Sequence, residues 1–296
     1  MRIGAIGVDT SHLPEFTRRI KGMHDAGKTA CRVTRYWTDG KHDWPDAADL
    51  KKWRDDTESM GVTEAKSLDE LLSNVDGVMV LTVNGNKHLQ HAAPSLVRGL
   101  PTYVDKPLTC DVEQARALLA LARQHGARCY SASSLRFITE IDALDRAALG
   151  RIVAIDASGP GELNPSMPGL YHYGVHTIEM IDAIWGPGAK RVSAVASEDR
   201  HLVDIEYHDG RYARLRLERK GAYDFNATVH GEKGVRQFRV DFGPVYTRLV
   251  EGMVRFFEGG TAPTQLRDIV ENVAIMAAGN ESIRLDGAWV PVAQIE

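Results

Sequence analysis

An apolar strand that runs into an acid, a lysine and a proline is the feature that most limits how this chain can fold. The segment is Leu100-Pro-Thr-Tyr-Val-Asp-Lys-Pro-Leu-Thr109. The β-branched and aromatic run through Val104 reads as a strand, Pro107 removes a backbone donor, and the amphipathic stretch Asp111 to His125 reads as the following helix. Lys106 is thereby placed at a strand end, facing the crevice where open parallel sheets bind ligands. The preceding unit has the same form. Val75-Asp-Gly-Val-Met-Val-Leu-Thr82 is a continuous apolar run of buried-strand type, followed by the polar turn Asn84-Gly-Asn-Lys-His88 and a helix through Arg98. Two consecutive strand-turn-helix units imply a parallel sheet.

The same pattern extends upstream. Ile3 to Gly7 reads as a strand, Leu13 to Ala26 as a helix, Arg32 to Thr38 as a strand, Ala48 to Met60 as a polar helix, Leu68 to Ser73 as a short helix, and Arg128 to Ala132 as a further strand. Asp39 to Asp46 reads as a loop. Beyond about residue 130 the rhythm changes. Arg151 to Ser158, Arg191 to Ala196, Leu202 to Tyr207, Tyr212 to Leu217, Phe225 to His230 and Val235 to Val240 are short strands joined by turns such as His208-Asp-Gly210 and Gly231-Glu-Lys-Gly234. Helices are expected over His176 to Trp185, Val245 to Phe257 and Leu266 to Leu285. The expected fold class is α/β: a Rossmann-like, doubly wound parallel sheet over residues 1–130, then an α+β domain with a mostly antiparallel open sheet over residues 131–296.

Composition narrows the function. A formal net charge of −4 leaves no basic surplus for a phosphate backbone, so nucleic acid is not an expected partner. Cys31, Cys110 and Cys129 are odd in number and lie in no Cys-x-x-Cys spacing, which reads as reduced thiols. No charged-then-apolar leader precedes the first strand and no apolar run is long enough to cross a bilayer, so the expectation is a cytoplasmic protein with no membrane partner.

Val75 to Thr109, with His88, the closing Gly99 and the triplet Asp105-Lys106-Pro107, resembles the Gfo/Idh/MocA group of sugar and polyol oxidoreductases, whose usual triplet is Glu-Lys-Pro. The likeness continues through Ser131-Ala-Ser-Ser-Leu-Arg-Phe137, where the family has an arginine, and Tyr173-Gly-Val-His176 through Gly186, where it has a histidine at a helix start. The resemblance implies an NAD- or NADP-dependent enzyme acting on a small sugar or polyol. It also implies a homo-oligomer paired through the exposed face of the C-terminal sheet.

Candidate catalytic residues are Lys106, as proton donor or acceptor for a substrate hydroxyl or carbonyl, His176, and His172, which stands where the family usually presents an aspartate. A helix start disfavours the protonated form of His176. Lys106, His172 and His176 would meet substrate together with Arg136, Tyr171 and Tyr173. The tyrosines could stack on a sugar ring or be buried core residues, and Arg136 could orient substrate or close an interdomain ion pair. At the strand ends facing the crevice, the cofactor candidates are Gly7, Asp9, Thr10, Ser11, His12, Asp39, Thr82, Asn84, His88 and Asp105. Asp39, ending the second strand, is placed to bind an adenosine ribose, which favours NAD over NADP; Asp39-Gly40 is also an ordinary turn pair.

The glycine-rich loop departs from its pattern. A dinucleotide fold calls for Gly-x-Gly-x-x-Gly after the first strand, and this chain has Gly7-Val-Asp9-Thr-Ser-His12. A carboxylate at Asp9 would repel a phosphate by about 3 kcal/mol per like-charge pair at ~5 Å and an effective dielectric of ~20. A protonated His12 would offset part of that, while Thr10 and Ser11 could donate to phosphate or cap the helix. Two functions therefore stand. The first is hydride transfer between NAD(P) and a sugar, cyclitol or related polyol. The alternative is a nicotinamide-independent sugar or keto-sugar isomerase, epimerase or lyase using lysine and histidine proton transfer. A divalent metal drawn from Asp9, His12, His88, Asp105, His172 and His176 is a further option, although no compact ligand spacing fixes one.

Overall fold

The computed structural model describes residues 1–42 and 46–295. Residues 43–45, inside the loop expected from Asp39 to Asp46, lie outside the described residues, as does Glu296. The chain divides into two compact units.

The first unit comprises Met1–Thr109, Glu113–Ala132 and Tyr246–Leu266. Its sheet contains β1 (Arg2–Ile6), β2 (Arg32–Trp37), β3 (Thr63–Glu64), β4 (Gly77–Val80), β5 (Thr102–Val104) and β6 (Cys129–Ser131). The strand order is β3-β2-β1-β4-β5-β6, with every pairing parallel. Between them run α1 (His12–Asp25), α2 (Ala47–Ser59), α3 (Leu68–Ser73), α4 (His88–Val97) and α5 (Val112–Gln124). This is the expected doubly wound sheet. The order reverses between β1 and β4, which places the crevice of an open parallel sheet at their carboxyl ends. Both strands are buried on both faces, so their sequences read as continuous apolar runs. The helix starts follow local chemistry: Asp46 accepts from the Ala48 and Asp49 amides to begin α2, and Ser67 accepts from the Glu70 amide to begin α3.

The second unit comprises Cys110–Val112, Ser133–Val245 and Arg267–Glu296. Two short helices, α6 (Thr139–Asp142) and α7 (Arg146–Leu149), precede β7 (Ile152–Pro160) and α8 (Gly174–Trp185). Then come β8 (Ala189–Ala196), β9 (Arg200–Tyr207), β10 (Tyr212–Glu218), β11 (Asn226–Gly231) and β12 (Val235–Arg239). The sheet order is β12-β11-β7-β10-β9-β8-β13, where β13 is Val290–Pro291. All of its neighbours pair antiparallel except β7 and β10, which are parallel. Strand β10 alternates buried Ala213, Leu215 and Leu217 with outward residues, the period expected of a sheet covered on one face. The helix α10 (Leu266–Arg284) follows α9 (Val245–Phe257). Although α9 comes after the second unit's strands in the chain, Tyr246 onward belongs to the first unit, where Phe257 lies so near β4 that a Cβ on Gly77 would stand 2.8 Å from its ring.

Candidate active site

In the first unit, the loop from β1 to α1 begins at Gly7, whose φ of 101° suits glycine alone. A Cβ there would lie 2.5 Å from the Thr82 amide nitrogen, so the backbones following β1 and β4 meet with no room for a side chain. Thr82 is buried, and its hydroxyl lies 2.8 Å from Nδ1 of His91.

Asp9 does not project from this loop. It is 2% exposed and Oδ1 accepts the Val83 amide at 3.3 Å. Burial pushes its carboxyl up to about 6; the backbone amides and Lys87 pull the other way, and Asp39 adds slightly to the rise. Thr10 is also buried and accepts the His12 amide at 3.2 Å, so it performs the turn's local capping. Ser11 is exposed and makes no side-chain cap bond to α1.

His12 turns toward β5. Its Nδ1 lies 2.5 Å from Oδ2 of Asp105, its Nε2 lies 3.3 Å from the Tyr246 hydroxyl, and its ring stacks on Phe16 at 4.8 Å. The Tyr103 hydroxyl donates to the other Asp105 oxygen at 3.1 Å. Burial opposes charge on Asp105, yet His12 and Lys106 together hold its carboxyl down at about 2. Lys106 follows directly, half-buried, where β5 ends and a cis peptide joins it to Pro107. His88 is fully buried and secures the same turn: Nδ1 faces the Pro107 and Leu108 carbonyls at 2.9 and 3.1 Å, and Nε2 faces the Thr82 carbonyl at 2.5 Å. With both nitrogens so engaged, His88 acts on the site through the loops it joins. Asn84 accepts the Asn86 amide at 3.0 Å and caps the turn of residues 85–87 that leads into α4. Asp39 lies two residues beyond β2, with Oδ1 accepting the Lys41 amide at 2.9 Å.

In the second unit, His176 lies in the first turn of α8. Its Nδ1 is 2.7 Å from the hydroxyl of Ser133, a fully buried residue whose own amide donates to Glu179 at 2.8 Å. Ser133 thus fixes the imidazole's orientation. The ring meets Tyr173 and Phe225 edge-on at 5.4 and 6.0 Å. His172 is half-buried in the turn before α8, so it and His176 do not share a helix face; its ring lies edge-on to Tyr173 at 5.0 Å. The Tyr173 hydroxyl lies 3.1 Å from that of Tyr223. Tyr171 is 7% exposed, and burial pushes its phenol well above the usual value. Arg136 pairs with Asp182 at 2.5 Å and lies 3.7 Å from Glu179, all three nearly buried and within this unit. The expected interdomain ion pair is thus corrected to one within the second unit, because Arg136 and the α8 acids Glu179 and Asp182 belong to the same unit.

Among the described residues, no group of three or more histidine, cysteine, aspartate or glutamate side chains is placed to hold a metal ion. No helix described is long and apolar enough to cross a membrane.

Comparison with known proteins places this geometry. A sequence model for the Gfo/Idh/MocA oxidoreductases, an oxidoreductase family with an NAD-binding Rossmann fold, matches residues 10–133. Over those residues the chain is similar to the Gfo/Idh/MocA oxidoreductases. Relatives include the uncharacterized oxidoreductase YhhX of Escherichia coli strain K12, 30% identical over 132 residues that span 40% of this chain and 38% of that protein. Another is the myo-inositol dehydrogenase Hyg17 of Streptomyces leeuwenhoekii, 26% identical over 78% of this chain and 79% of that one. The fold is shared with GenD2 from gentamicin A biosynthesis, solved with NAD, at a TM-score of 0.80, 18% identity, and 99% of this chain on 97% of that one. It is shared also with scyllo-inositol dehydrogenase from Lactobacillus casei, solved with NAD(H) and scyllo-inositol, at a TM-score of 0.78, 15% identity and 99% of each chain.

The family's dinucleotide fits the residues present. Gly7 keeps the loop backbone bare of side chain, Ser11 makes no side-chain cap bond to α1, and the carboxylate that replaces the second glycine is folded inward.

Proposed function

We propose that this chain is a nicotinamide-dependent dehydrogenase of Gfo/Idh/MocA type, acting on a sugar, cyclitol or related polyol. The observation that carries the reading is Asp9: buried against the Val83 amide, it leaves the mouth of the loop clear for a pyrophosphate. The alternative without a dinucleotide rests on Asp9 and His12, and the burial of Asp9 and the pairing of His12 with Asp105 count against it.

Gly7 and the start of α1 would hold the pyrophosphate, and Asp39 would face the adenosine ribose. The nicotinamide, when bound, supplies the hydride acceptor or donor. Lys106 exchanges the proton of the reacting hydroxyl, as its ammonium form donates and its amine form accepts. His12 and Tyr103 hold the neighbouring Asp105 in place, which fixes the strand end that presents Lys106. His176, oriented by Ser133, and His172 hydrogen-bond substrate hydroxyls, and Tyr173 offers a ring to an apolar sugar face. The myo- and scyllo-inositol dehydrogenases among the relatives and shared folds support a polyhydroxylated ring as substrate.

The test is a panel of aldoses, inositols and their oxidised forms, assayed with NAD and NADP by absorbance of the reduced nicotinamide. At least one is expected to turn over, and Lys106→Ala is expected to lower kcat by about a hundredfold or more while cofactor binding persists. Full turnover by Lys106→Ala would refute its role.

A further inference from the structure

We propose that Lys87 lets the adenosine end of the cofactor site accept NADPH as well as NADH. This inference rests on the dehydrogenase reading above and concerns the cofactor it uses. An acid ending the second strand of a dinucleotide fold ordinarily selects NAD by binding ribose hydroxyls through its oxygens and repelling a 2′-phosphate through its charge. Asp39 occupies that place, but both properties are largely spent within the protein.

One oxygen accepts the Lys41 amide at 2.9 Å, and the other lies 3.5 Å from the Lys87 ammonium and 3.7 Å from Nε2 of His91. Burial lowers the pKa of His91 to about 4, so the ring is neutral near pH 7 and Lys87 is the cation that faces the carboxylate. Lys87 and Asp39 are each about one-fifth exposed, at 19% and 22%, so the pair is partly desolvated yet reachable by a ligand. Lys87 ends the tight turn of residues 85–87, and His88 beside it is tied to three backbone carbonyls, which holds the ammonium near β2. A 2′-phosphate arriving here meets a compensated charge and a point-charge phosphate donor instead of a bare carboxylate. The place of Asp39 after the second strand on its own favours NAD; the neighbouring cation offsets that preference.

The measurement is equilibrium titration of the full-length protein with NADH and with NADPH at low salt, by nicotinamide fluorescence and by calorimetry. Wild type is expected to bind the two within about tenfold of each other. Lys87→Ala is expected to weaken NADPH about tenfold or more while changing NADH less than about threefold, Lys87→Arg to retain NADPH, and Asp39→Asn to tighten it. Circular dichroism on each variant separates a binding change from a folding change, and retention by Lys87→Arg shows that charge is what matters. A wild-type preference for NADH above about a hundredfold, or an unchanged ratio in Lys87→Ala, overturns the inference while leaving the dehydrogenase reading intact. Failure of both nucleotides to bind contradicts the dehydrogenase reading itself.

Discussion

At the residue scale, the behaviour of the loop turns on Asp9 and Gly7. The folded state penalises the charged form of Asp9, raising its carboxyl from 3.8 to about 6. With respect to this group the fold is therefore most stable below the unfolded value, and stability is lost as pH rises from 3.8 to 6 and stays lost above that. The full loss amounts to about 3 kcal/mol. Asp9→Asn keeps an acceptor for the Val83 amide but carries no charge, so it is expected to raise the unfolding free energy, more at pH 8 than at pH 5. A urea series at the two pH values measures this, and equal effects at both would contradict the assignment. The same substitution is expected to flatten any weakening of NADH binding between pH 5 and pH 8 that wild type shows. Gly7→Ala acts in the opposite sense. Its Cβ would lie 2.5 Å from the Thr82 nitrogen at a φ of 101°, and a loss of about 3 kcal/mol is expected in chemical denaturation.

At the scale of elements, α8 carries both a candidate catalytic imidazole and the acids that anchor it. Glu179 and Asp182, both buried in this helix, receive Arg136, and Asn272 adds a bond to Asp182 at 3.4 Å. Arg136→Ala would leave the two carboxylates uncompensated, so a loss of about 3–5 kcal/mol is expected in urea denaturation, partly recovered by adding Asp182→Asn. Retained stability in Arg136→Ala would instead favour a part for the guanidinium in substrate binding. The longer helices and the parallel strands other than β3 were legible in the sequence because their signals are local, whereas the four-residue helices α6 and α7 were not expected. Gly77–Val80 is buried throughout and reads as an apolar run, and Asp46 and Ser67 announce helices within three residues. Turn signals specify only sequential neighbours, so they gave no sign that β7 lies between β11 and β10 and pairs parallel with the latter. The two-residue strands β3 and β13 are too short to show a period. Side-chain partnerships were beyond reach for a related reason. Ser133 and His176 are 43 positions apart, and His12 and Asp105 are 93 apart. The sequence offered a histidine and an acid at strand ends, whereas their pairing, and the engagement of both His88 nitrogens by carbonyls, depends on packing that no local pattern encodes.

At the scale of the molecule, the Rossmann-like unit and the mixed-sheet unit each follow from one topological rule. Parallel strands joined by helices bury both faces of the first sheet, and hairpin-joined strands leave one face of the second outward. The first unit brings Gly7, Asp9, His12, Asp105 and Lys106 to the carboxyl ends of β1 and β5, where the fold binds its ligands. Whether a nicotinamide dinucleotide occupies that place is the claim on which the proposed chemistry depends. Calorimetric titration of the purified wild-type protein with NADH and NADPH tests it without knowledge of the substrate. The expected result is saturable binding of at least one of them at one site per chain, retained in Lys106→Ala and weakened in Gly7→Ala. Absence of binding by either nucleotide between pH 5 and pH 8 would contradict the account.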